Sequence, residues 1–118
     1  ETGPETAPAL ELVGAALDTA AAFFEEVREF VGLRHRIVAS SRELQERELA
    51  KYAALATALA QALRARGFDD TAAALAARSG MTVMQVALER WVDSPGQAPF
   101  QQVVRAALAR LREMAAAG

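Results

Sequence analysis

The stretch from Glu43 to Gly67, ELQERELAKYAALATALAQALRARG, constrains this chain more than any other. It has a charged start, an alanine-rich middle and an Arg-Ala-Arg-Gly exit. Leu49, Tyr52, Ala56, Leu59 and Leu63 recur at the helical period, and alanine is the strongest helix former. Ser40-Ser41 supplies a start signal, and Ser40 with Glu43 has capping-box spacing. Arg64, Arg66 and Gly67 are stop signals. The segment is therefore a long amphipathic helix, and its apolar stripe requires other helices to pack against.

The rest of the chain supplies them. Glu1 to Pro8 reads as a loose N-terminal lead-in or a cloning remnant, because Gly3, Pro4 and Pro8 punctuate it. Residues 9–118 form the single domain that 118 residues predict. A first helix is expected from Ala9 to Val31, with Leu10, Val13, Leu17, Ala20, Phe24, Val27 and Val31 as one stripe. Leu12, Ala16, Phe23 and Phe30 make a second, so this helix is expected to be buried on more than one side. Gly14 within it lowers helix stability unless a neighbour packs close. Gly32 is the expected stop, followed by a short helix over Leu33–Ala39. Asp69 or Asp70 caps a fourth helix to about Val92, continuous through Gly80 with a local weakness or a close contact there. Ser94 to Pro99 reads as a loop, and a last helix spans about Pro99 to Ala116. No segment reads as a strand. The fold class is all-α, one helical bundle of about five helices.

Several function classes are excluded. Cysteine is absent, which removes disulfides, thiolate metal sites and a cysteine nucleophile. The net charge of −2 offers no basic excess for phosphate backbones or anionic lipid. The longest uncharged run, Tyr52 to Leu63, is too short to span a bilayer. Neither His-Glu-x-x-His nor Glu-x-x-His occurs, and no Gly-x-Ser-x-Gly elbow surrounds a serine. His35 is the only histidine. The pairs Glu25-Glu26 and Asp69-Asp70 diverge on a helix and read as a solvated face and a helix cap. The chain is not expected to be an enzyme, to bind a metal or to need a cofactor.

A binding reading finds more. Phe23, Phe24, Phe30, Tyr52, Met81, Met84 and Trp91 are large side chains among alanines. Large and very small apolar residues together either interlock as plain core or leave an apolar cavity. Leu33-Arg34-His35-Arg36 is the one local basic cluster. It is either a solvated turn balancing Glu25, Glu26 and Glu29, or a receptor for an anionic headgroup at a pocket mouth. Gln85, in the apolar run Met81 to Leu88, is either a pocket polar group or a surface residue.

The Glu43–Gly67 segment, read with Glu89-Arg90-Trp91-Val92 one helix later, resembles the regulatory half of TetR-type transcriptional repressors. Arg90-Trp91 resembles the aromatic-basic step near the end of that family's penultimate helix. The likeness covers roughly Ala9 to Ala115. Gly80 and Thr82 depart from it, where the family pattern is usually alanine or leucine. The resemblance implies an all-helical domain that binds an apolar or amphipathic small-molecule effector and forms a homodimer in the cytoplasm of a bacterium. The effector would enter between the first, third and fourth helices. The implied ligand-binding residues are Phe23, Phe24, Val27, His35, Tyr52, Leu55, Ala56, Met81, Met84, Gln85 and Trp91. The last two helices would pair with those of a second copy through Leu88, Val103, Val104, Ala107, Leu108 and Leu111. DNA would be contacted only through a helix-turn-helix domain that these residues do not contain, and a membrane not at all. The alternative is a helical interaction module that binds a partner helix in an apolar groove.

Overall fold

A computed structural model of the chain describes residues 6–93 and 98–117. The expected loop over Ser94–Pro99 and the lead-in over Glu1–Pro8 therefore lie partly outside the described residues. Five helices follow one another: α1 (Thr6–Glu26), α2 (Arg28–Ala39), α3 (Arg42–Ala65), α4 (Asp70–Asp93) and α5 (Phe100–Ala117). There is no strand among the described residues. The all-α bundle expected from the sequence is the fold found.

Helix α4 is the axis of the domain. It packs against α3, α1 and α5, while α2 rests mainly on α3. Its inward face is built from Ala72, Ala73, Ala76, Ala77, Gly80, Val83, Met84, Ala87, Leu88 and Trp91. These are mostly small residues, so neighbouring helices approach closely. At Gly80 the approach is closest: a Cβ there would collide with Cγ1 of Val13 on α1. The close contact expected at Gly80 is thus present, and α4 runs through it unbroken. Gly14 plays the same part toward α5, where an added Cβ would stand 2.8 Å from Leu108 Cδ2.

Helix ends follow local chemistry in part. Ser41, not Ser40, caps α3: its Oγ accepts from the Leu44 N–H at 3.3 Å, while Ser40 closes α2. Asp69 caps α4 by accepting from the Ala72 N–H at 2.8 Å. At the end of α3, Gly67 takes φ 103°, a left-handed conformation that glycine adopts without Cβ strain. The Phe68 N–H then reaches the Leu63 carbonyl at 3.2 Å and the Gly67 N–H the Arg64 carbonyl at 2.9 Å, a Schellman ending.

The first helix differs from expectation in three ways. It begins at Thr6, with Pro8 inside its first turn, where a missing N–H loses no helix bond. It breaks at Val27 rather than at Gly32, and Gly32 lies within α2. Its second apolar stripe is not buried: Leu12, Phe23 and Phe30 are exposed, Phe30 by 64%. The inward face is instead Ala9, Val13, Leu17 and Ala21. The break has a tertiary origin. Glu25 Oε1 leaves α1 to accept from the Phe100 N–H at 2.8 Å, capping α5, and Arg28 donates to the Ala98 carbonyl at 3.2 Å. These two bonds bracket Val27 and tie the α1–α2 joint to the start of the last helix.

Candidate functional site

The α1–α2 joint forms a partly open cavity of about 350 Å³. That volume is at the small end of the ~300–1,000 Å³ typical of ligand pockets. Phe23 and Phe24 reach it from the end of α1, Val27 from the joint, Phe30, Val31 and Val38 from α2, and Leu88 from α4. The remaining wall is polar: Arg34 and His35 on α2, and Glu48, Lys51 and Tyr52 on α3.

The polar wall is organised around one ion pair. The Arg34 guanidinium grips Glu48 with two bonds, of 3.0 and 2.8 Å, a bidentate geometry. Lys51 Nζ stands 3.5 Å from the same carboxylate. The Arg34 hydrogen bonds hold the Glu48 carboxyl below its ordinary range against the opposing effect of burial. Burial, and then the Glu48 charge, push the Tyr52 hydroxyl upward. Tyr52 and His35 make no hydrogen bond among the described residues.

Behind the cavity runs an aromatic stack. Phe24 lies parallel to Phe100 with ring centroids 5.6 Å apart, and Phe100 stacks on Trp91 at 4.5 Å. The Arg28 guanidinium covers the indole, 4.9 Å from its centroid, in cation–π geometry. The indole Nε1 is buried without a hydrogen-bond partner among the described residues.

Of the expected ligand-binding residues, the cavity brings together Phe23, Phe24, Val27, His35 and Tyr52. The others stand elsewhere. Ala56, Met81 and Gln85 line a separate open groove of about 540 Å³ between α3 and α4, which Tyr52 shares. Met84 is core, packed among the alanines of α4. Trp91 is 3% exposed and belongs to the stack, outside the cavity wall. Leu55 faces outward, 47% exposed. The resemblance that put Leu55, Met84 and Trp91 in the set names helices, and does not say which flank of each faces the joint. Glu48 and Lys51 were missed, although a signal existed: Arg34 and Glu48 are equidistant from Ser41, so an antiparallel turn there sets them opposite each other.

The residues expected at a dimer interface also divide. Leu88, Val104 and Leu108 are buried within the single chain. Val103, Ala107 and Leu111 line an open apolar groove of about 830 Å³ between α4 and α5, together with Val83, Val86, Ala87, Ala106 and Met114. Arg78, Arg90 and Arg110 edge it. The division has a simple cause: on α5 adjacent flanks are both apolar, and α1 and α4 take the Val104–Leu108 flank.

No helix among the described residues is long and apolar enough to cross a membrane. Comparison with protein-family models, with curated proteins and with solved structures gives no match to this chain.

Proposed function

We propose that this domain is a small-molecule sensor, built as the regulatory domain of a TetR-type repressor is built. An amphipathic molecule occupies the joint cavity, and two copies pair through the α4–α5 groove in the bacterial cytoplasm. Occupancy would favour one placement of α1 and α2 relative to α5, and in a longer protein that would alter the spacing of two DNA-reading heads. The observation that carries this reading is a partly open cleft with an apolar floor at a helix break whose flanking residues, Glu25 and Arg28, hold Phe100 at the start of α5 and Ala98 just before it.

The test has two arms. Calorimetric titration with ten-carbon amphiphiles of different headgroup should find at least one that binds the parent chain and not Val31→Trp, which fills the cavity. If none binds, the sensing role fails. Sedimentation at micromolar concentration should find a dimer.

A second reading, docking of a partner helix, is favoured by one observation: the α4–α5 groove is larger than the joint cavity and the α3–α4 groove and is open on the single chain. A parent chain that sediments as a monomer would favour it.

A further inference from the structure

The donors and acceptors of the cavity wall do not balance, and the imbalance defines a headgroup. Glu48 is the only carboxylate lining the cavity. Both of its oxygens are already engaged: Oε2 by Arg34 Nη1 at 3.0 Å, Oε1 by Arg34 Nη2 at 2.8 Å and by Lys51 at 3.5 Å. A cationic or hydroxylic headgroup would have to compete with Arg34 and Lys51 for that one carboxylate. Donors, by contrast, are in excess. Lys51 has three N–H groups and one long ion pair, its side chain 49% exposed. The Tyr52 hydroxyl and the His35 ring are unengaged among the described residues. Two permanent cations face one anion across the lining, and Glu89, whose charge also acts on Tyr52, stands outside it.

We infer that the cavity takes a carboxylate at the end of an apolar tail. The carboxylate sits between Lys51, Tyr52 and His35, and the tail lies against Phe23, Phe24 and Val31. Arg34 stays with Glu48 and fixes the wall rather than gripping the ligand. This inference rests on the sensing role proposed above and adds the chemical class of the ligand.

Decanoate, 1-decanol and decyltrimethylammonium share one tail and differ in the head. Calorimetry at neutral pH should rank decanoate first by about tenfold or more over decanol, the scale of a hydrogen bond to a charged group. Lys51→Gln should remove most of that preference while leaving decanol binding unchanged, and Tyr52→Phe should reduce it further. Val31→Trp should abolish decanoate binding. Decanol or decyltrimethylammonium binding as tightly as decanoate would overturn the headgroup assignment and leave the cavity's role intact. A decanoate affinity indifferent to Lys51→Gln or to Val31→Trp would overturn it too. Binding by none of the three would overturn both.

Discussion

Gly80 is the residue on which the α1–α4 crossing turns. In an exposed helix, replacing glycine by alanine stabilises by about 1 kcal/mol. Here the added methyl would meet Val13, which is fully buried and cannot move aside. Overpacking of this kind costs roughly 1–3 kcal/mol. Gly80→Ala should therefore lower the urea midpoint despite its better helix propensity, and a rise would mean that the crossing has slack. Glu48 gives a second residue-scale expectation. Its carboxyl sits below the ordinary 4.5 in the folded chain. The Arg34 pair therefore stabilises at neutral pH, and its contribution disappears as the pH falls through that lowered value. Arg34 is 43% exposed, so the pair is worth only about 0.5–1 kcal/mol after solvent screening. Glu48→Gln should cost that much at pH 7, and the difference between the two chains should shrink in paired chemical melts as the pH falls through the lowered value. Gly80 was legible in the sequence as a place of weakness or contact. That Val13 is the contact was not, because a crossing point depends on two helices at once.

At the scale of elements, the α1–α2 joint separates what local pattern encodes from what it does not. The periods of α3, α4 and α5 are strong, and their ends carry Ser41, Asp69 and Gly67, so those helices are readable within a residue or two. The joint has no such mark. Val27 has no side-chain cap, and the bonds that hold it come from residues 70 and 75 positions away in the chain. A glycine five residues later is the louder local signal, and it lies in mid-helix. The candidate cavity was correspondingly half legible: its aromatic residues stand out in the sequence, but the bend that gathers them does not. Glu25→Ala should release the first turn of α5 at a cost of about 0.5–2 kcal/mol, as loss of a helix cap does. Amide exchange should quicken at Phe100 to Val103 while the centre of α4 stays protected.

At the scale of the whole molecule, the proposed pairing face and the folding core rest on different residues. Leu108, on α5, is interior, and Val86, on α4, is at the rim of the open groove, 39% exposed. Val86→Glu should leave the fold nearly untouched, within about 0.5 kcal/mol for the isolated chain, and convert a dimer to a monomer in sedimentation. Leu108→Glu should instead unfold the domain, because it buries an unpaired charge against Gly14. A Val86→Glu chain that still sediments as a dimer would move the pairing surface off the α4–α5 face. The chain by itself should show no sequence-selective DNA binding in a gel shift at physiological salt, given its net charge of −2.

Trp91 is the only tryptophan in the chain. Its indole touches Phe100, and Phe100 touches the cavity's own Phe24. Light emitted by that one ring is therefore set two aromatic contacts from whatever fills the joint. A molecule that moves Phe24 shifts the stack, and with it the distance of the Arg28 cation from the indole face. The emission of the unlabelled chain should change in wavelength or yield as the cavity fills. Phe24→Leu should sever that optical link while leaving the tryptophan where it is.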